Sequence, residues 1–211
     1  VPRDDIFVTT KVWTTHFAPN DLLRSTKESL MKMRLSEVDL LLLHWPNKHV
    51  PLSETLGGLA RAKEFGLTQH IGLSNFTVAM IEEAVRLSPA PLVCNQVEYH
   101  PFLDQTKVIN ACDEHHLAVV AYSPIAKGKA KNAEVLNRIA EAHGKTAAQI
   151  CLRWIVQQDI AAIPRTSKVE RLLENISVFD FALSDAEMNE IFAMAQPDGR
   201  LTDFGFSPQW D

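Results

Sequence analysis

Six short runs rich in apolar and β-branched residues recur along the chain, each followed by a stretch with a different periodicity. The runs are Ile6 to Thr10, Val38 to His44, His70 to Ser74, Leu92 to Gln96, Ala118 to Ser123 and Ile160 to Pro164. VDLLLLH is apolar almost without interruption, the pattern of a strand buried on both faces of a parallel sheet. Between the runs, LLRSTKESLMKM, SETLGGLARAKEF and VAMIEEAVRL place apolar residues three and four apart, as amphipathic helices do. Two more helices are marked at their starts by capping boxes, Thr146 with Gln149 and Ser184 with Glu187. Strand then helix, repeated six times, predicts an α/β fold of parallel βαβ units with right-handed crossovers. No low-complexity linker or shift in composition interrupts the 211 residues, so residues 1–211 read as a single domain.

Two α/β architectures meet that description. A doubly wound sheet normally carries a glycine-rich turn after its first strand, yet here the first strand runs into Lys11, Val12 and Trp13. In a (β/α)8 TIM barrel, functional side chains sit where strands end and loops begin. The ends of the six predicted strands carry Lys11, His44, Ser74 with Asn75, Gln96, Tyr122 and Arg165. So many polar groups in the interior would be costly unless they served one convergent site. The barrel is therefore the expected fold.

Charge and composition narrow the function. A net charge of -5 lacks the basic excess of a nucleic-acid binder, although a few arginines can still cluster in one pocket. No apolar run approaches the ~20 residues of a membrane span, and VPRDDIFVTTK is not a signal peptide. Cys94, Cys112 and Cys151 are odd in number, widely spaced and set in apolar surroundings. They read as reduced core thiols of a cytoplasmic protein, not as a disulfide framework or a metal site.

The segments VTTKVW, VDLLLLHWP, IGLSNF, NQVEYHP, AYSP and IPRTSKVERLLENISVFDF, with SPQWD at the end, resemble the aldo-keto reductase superfamily in order and spacing. The bacterial branch containing the 2,5-diketo-gluconate reductases is the most similar. The resemblance implies an NADPH-dependent enzyme that reduces aldehydes or ketones to alcohols by hydride transfer. Lys11 matches the lysine that lowers the pKa of a tyrosine acid, and His44 the histidine that orients the carbonyl. Ser74, Asn75 and Gln96 match the residues that hold the nicotinamide carboxamide. Tyr122 matches the ring that stacks on the nicotinamide, and Ser123, with Lys127 less firmly, the contacts to pyrophosphate. Arg165, Thr166, Arg171, Glu174 and Asn175 match the adenosine and 2′-phosphate pocket, with arginine at 165 where family members often carry lysine. Arg171, Glu174 and Asn175 are spaced to share one face of a short helix. Trp13 and Trp45, with Phe204, Phe206 and Trp210, are expected to wall the pocket of a small carbonyl substrate.

Measured against the family barrel, the six runs match strands three to eight. The first two βα units, with the tyrosine and aspartate of the catalytic tetrad, are expected to be missing, and the 211 residues alone are expected not to turn over substrate. Of the two tyrosines, Tyr99 is expected in a loop away from the site. The remaining histidines, including His115 and His116, read as surface on helices or loops, with His100 at most a loop contact. A monomer is expected, with no nucleic-acid or membrane partner. A rival reading is a non-catalytic, NADPH-binding regulatory subunit. The presence of both Lys11 and His44 beside a full cofactor set favours the enzyme.

Overall fold

The computed structural model describes all 211 residues. Six strands form one sheet in sequence order: β1 (Thr9–Val12), β2 (Val38–Leu43), β3 (Thr68–Ser74), β4 (Leu92–Glu98), β5 (Ala118–Tyr122) and β6 (Ala161–Ile163). The β1–β2, β2–β3 and β5–β6 ladders are parallel. Parallel neighbours need long crossovers, and helices supply them. Between the strands lie α1 (Pro19–Met33), α2 (Leu52–Glu64), α3 (Val78–Leu87), α4 (Thr106–Glu114), α5 (Glu134–His143) and α6 (Ala147–Val156), and after β6 come α7 (Glu170–Ile176) and α8 (Asp185–Phe192). The α/β class and the parallel order follow the sequence pattern. The chain divides into two compact units, each discontinuous in sequence: Val1–Asn95 with Lys107–Ala118 and Phe206–Asp211, and Gln96–Thr106 with Val119–Gly205.

In the first unit, β2 is the centre of the core. Leu40, Leu41, Leu42 and Leu43 are all buried, as the uninterrupted apolar run requires. Helix α1 opens with Pro19, whose fixed φ suits a first turn. It buries Leu22, Leu23 and Leu30 along one face. Strand β1 begins three residues later than the sequence predicts and extends through Lys11 to Val12. The Asp39 carboxylate accepts the Val8 N–H at 2.6 Å and the Arg3 guanidinium at 2.7 Å, which turns the preceding segment off the ladder. Ile6 and Phe7 are left exposed.

In the second unit, α6 is the hub. Ile150, Cys151, Leu152, Trp154 and Ile155 are buried, and the Trp154 ring lies 4.9 Å from Tyr99 and 5.1 Å from Phe192. Both predicted capping boxes form. The Thr146 side chain accepts from the Gln149 N–H and Ser184 from Glu187, with the partner side chains reaching back to each cap. His143 pairs with Glu187 at 2.8 Å and Arg138 with Glu190, tying α5 to α8. In the first unit, His70 is exposed within β3, not on a helix or loop. Helix α7 buries no residue, and Val169, Leu172, Leu173 and Ile176 are exposed along it.

Gly72 sets the approach of β3 to its neighbours. A Cβ there would lie 2.9 Å from the Cys94 carbonyl oxygen and 2.9 Å from a Leu42 methyl group. Strand backbone cannot easily yield, so Gly72→Ala is expected to destabilise the protein by about 1–3 kcal/mol. Thermal unfolding measures it, and an unchanged midpoint would show that the strands can separate at no cost.

Candidate active site

The first unit gathers four predicted site residues at the C-terminal ends of β1, β2 and β3. Lys11 stands within β1 and His44 directly after β2, where its N–H donates to the Val12 carbonyl at 3.0 Å. Ser74 closes β3 and Asn75 follows it. Asn75 is buried with a left-handed backbone (φ 64), a conformation asparagine tolerates better than most residues. Its Nδ2 donates to the His44 carbonyl at 3.0 Å and lies 3.2 Å from Ser74 Oγ. The side chain of one strand end thus completes the backbone of the next. Asn95, which sequence reasoning passed over, does similar work: it accepts the Phe76 N–H at 3.4 Å and donates to the Phe76 carbonyl at 2.9 Å.

Electrostatics at these ends are set by burial. Burial pushes the His44 pKa down, and the Lys11 charge adds to the effect, bringing it to about 4. His44 is therefore neutral near pH 7, with one ring N–H to donate. Burial also lowers the Lys11 pKa, only partly opposed by Cys94. Burial, together with the neighbouring Cys112, raises the Cys94 thiol to about 12. Aromatic rings enclose the same corner. Trp13 stands edge-on to His44 at 5.0 Å and to Phe206 at 5.9 Å, and Trp45 contacts Phe206 at 5.7 Å and Trp210 at 6.0 Å. The Asp211 carboxylate accepts the Val78 N–H at the start of α3, anchoring this aromatic tail.

The second unit holds the rest. Gln96 lies inside β4 and is buried, since the strand continues two residues past the predicted end. Tyr122 is the last residue of β5, and burial, followed by the nearby Glu98 charge, raises its phenol pKa. Ser123 and Lys127 both have left-handed backbones, at φ 53 and φ 51, in the turn after β5. Lys127 Nζ donates to the Leu201 carbonyl at 2.9 Å. Arg165, Thr166, Arg171, Glu174 and Asn175 all line one cavity of about 480 Å³, with Lys131, Lys145 and Thr146 among its other walls. Thr146 donates to Glu174 at 2.6 Å, so the cap of α6 also orients a pocket carboxylate. Thr166 braces its own loop by accepting the Lys168 N–H at 3.0 Å.

Tyr99 lies in the connection after β4, as expected. It follows β4 directly, is buried, and its hydroxyl donates to Gln158 at 2.8 Å. His100 is also buried, and its Nε2 meets Glu98 at 3.0 Å. The sequence signal for this pair was weak, an acid and a histidine two apart before a proline.

A model of the Aldo/keto reductase family matches residues 1–196. The methylglyoxal reductase DkgB of Escherichia coli O157:H7 is 36% identical over 214 aligned residues, which cover 100% of this chain and 80% of that protein. The glyoxal reductase of Bacillus subtilis strain 168 is 36% identical, covering 92% of this chain and 70% of its own length. Among solved structures, a candidate 2,5-diketo-D-gluconic acid reductase B superposes with a TM-score of 0.98 at 46% identity, over 100% of this chain and 76% of that one. The aldo-keto reductase AKR2E4 of Bombyx mori, solved in complex with NADP, gives a TM-score of 0.87 at 30% identity over 92% of this chain and 69% of its own. The strand order and these matches agree: the chain belongs to the aldo/keto reductase family, NAD(P)H-dependent oxidoreductases acting on carbonyl groups.

Proposed function

We propose that this protein reduces small α-dicarbonyl compounds to hydroxy compounds with NADPH. The named relatives act on methylglyoxal, glyoxal and, for the solved structure, a diketo sugar acid, and in each of these a carbonyl stands beside another carbonyl or a carboxyl group. The observation that carries the cofactor assignment is the cavity shared by Arg165, Thr166, Arg171, Glu174 and Asn175. Its volume suits one end of a nucleotide. Two guanidinium groups beside a hydroxyl suit a phosphate, because guanidinium donates paired hydrogen bonds to its oxygens. When bound, NADPH supplies the hydride for the carbonyl carbon.

The chain's own residues do the positioning. Ser74, Asn75 and Gln96 offer both donors and acceptors, as a carboxamide requires, and Tyr122 offers a flat face for the nicotinamide. Ser123 and Lys127 are assigned to pyrophosphate, and Trp13 and Trp45 to the body of the substrate. Neutral His44 donates a hydrogen bond to the substrate carbonyl, and Lys11 is assigned to lower the pKa of the tyrosine acid that, in the family, gives the alkoxide its proton. The tyrosine and aspartate that complete the family tetrad match no position of this sequence. Tyr99 is committed to Gln158, and burial raises its pKa, so it is a poor proton donor. We further propose that β1 to β6 are strands three to eight of a (β/α)8 barrel, that residues 1–211 belong to one domain, and that the protein is a cytoplasmic monomer. All three cysteines are free and buried, in keeping with a reducing compartment, and no helix is long and apolar enough to cross a membrane.

The cofactor assignment is tested on Arg171→Ala. Losing a charge-assisted contact to the 2′-phosphate costs about 1.5–3 kcal/mol, so NADPH affinity is expected to fall at least tenfold while NADH affinity holds. Equal losses for the two cofactors would show that Arg171 does not read the phosphate.

The His44 environment gives a pH test. The unfolded histidine titrates near ~6.5, above the folded value of about 4. As pH falls through this window the unfolded state takes the proton first, so folded stability is lost progressively from ~6.5 down to about 4. Wild type should therefore lose melting temperature over that range relative to His44→Gln. Parallel pH profiles for the two proteins would contradict a buried, neutral His44.

A further inference from the structure

Glu98 ends β4 and is fully buried. Its Oε1 accepts the Leu201 N–H at 2.7 Å and its Oε2 the Thr202 N–H at 2.9 Å. Oε1 also meets His100 Nε2 at 3.0 Å, and because a carboxylate only accepts, the proton of that bond belongs to the imidazole. Burial alone would push the carboxyl up, but His100 and the two backbone N–H groups outweigh it and hold the pKa below the ordinary value. A charge so deeply placed is maintained only by such a full set of donors.

The segment that Glu98 grips is fixed at other points as well. The Gln196 N–H donates to the Phe102 carbonyl at 3.1 Å, and Lys127 holds the Leu201 carbonyl. At Gly199 a Cβ would stand 1.7 Å from the Phe102 oxygen, so only glycine allows this approach. On its other side the segment meets Tyr122. The phenol is hydrogen-bonded to the Thr202 side chain and lies within electrostatic reach of Arg200 and Glu98. The Tyr122 carbonyl in turn accepts the Tyr99 N–H at 3.3 Å, next to Glu98 in the chain. The backbone of Leu201 and Thr202 is thus a bridge from the buried carboxylate to the phenol.

We propose that Glu98 is a positioning residue for cofactor binding: through Leu201 and Thr202 it holds the 199–202 segment against Tyr122 and so fixes the plane of that ring. The proposal rests on the reading that Tyr122 stacks on the nicotinamide, and assigns Glu98 no contact with cofactor or substrate. A carboxylate serving only the fold would affect all ligands alike, whereas a positioning residue affects only the nicotinamide end.

Two ligands separate these cases in the intact protein: NADPH, which has both ends, and 2′,5′-ADP, which has only the adenosine end. Glu98→Gln keeps the shape but sets an NH2 against a backbone N–H, removing one of the two grips. NADPH dissociation is expected to rise about tenfold, the loss of one charge-assisted bond, and 2′,5′-ADP affinity to stay within about twofold, as for a distant, uncoupled site. Tyr122→Phe and Thr202→Val, which cut the bridge at the phenol without touching the buried charge, should shift NADPH in the same direction. They carry the test if Glu98→Gln does not fold. Equal weakening of both ligands by Glu98→Gln, or no weakening of NADPH by any of the three, would overturn the proposal. Tyr122→Ala keeps its failure distinct from that of the stacking reading. If Tyr122→Ala leaves NADPH affinity unchanged, the stacking reading falls; if it weakens NADPH while the three bridge variants do not, only the role of Glu98 falls.

Discussion

A parallel strand that stops inside a protein leaves N–H and carbonyl groups facing away from its ladder, and each must find a partner or cost free energy. In this chain polar side chains of neighbouring strands and loops provide those partners. Asn75 completes the backbone of His44, Asn95 that of Phe76, and Gln105 donates to the Glu98 carbonyl at 2.9 Å. Glu98 in turn satisfies two N–H groups of the C-terminal segment. Because these side chains are held by backbone, their geometry is fixed before any ligand arrives, which is what a binding site needs. The same requirement explains why so many amides and acids stand beside the residues assigned to chemistry.

The cavity lined by Arg165 and Arg171 follows a different logic. Its arginines sit on a loop and on α7, a helix that buries none of its residues, so their charges stay hydrated and available to an anion. The acidic net charge of -5 is no obstacle, since an anion responds to the charges within a Debye length of about 8–10 Å. The rigid element beneath the pocket is the N-terminus of α6, where Thr146 caps the helix and also holds Glu174. Helix α6 carries the core through Trp154 and Ile155, while Arg165 on its loop and Arg171 on α7 carry the cavity's guanidinium charges.

What could be read from the sequence was whatever rests on neighbours in the chain. The leucine run of β2, the capping boxes at Thr146 and Ser184, and the shared face of Arg171, Glu174 and Asn175 all depend on residues within one turn or one strand, and all appear as expected. What could not be read depends on partners far away. The start of β1 is moved by Asp39, more than thirty residues from the bonds it makes to Val8 and Arg3. The burial of Glu98 and His100 is repaid by Leu201 and Thr202, over a hundred residues on. The burial of Tyr99 depends on Gln158 and Trp154, more than fifty residues down the chain. Periodicity and motif spacing carry no information about such closures.

The central claim is that the strand-end residues serve transfer of a hydride from NADPH to a carbonyl. It is tested most directly by supplying the chain, completed with the two opening βα units of the family, with methylglyoxal and NADPH fully deuterated at C4 of the nicotinamide, and weighing the alcohol by mass spectrometry. The account predicts one deuterium in each product molecule, on the carbon that was the carbonyl. Product without the label, or no alcohol at all while methylglyoxal is consumed, would contradict it.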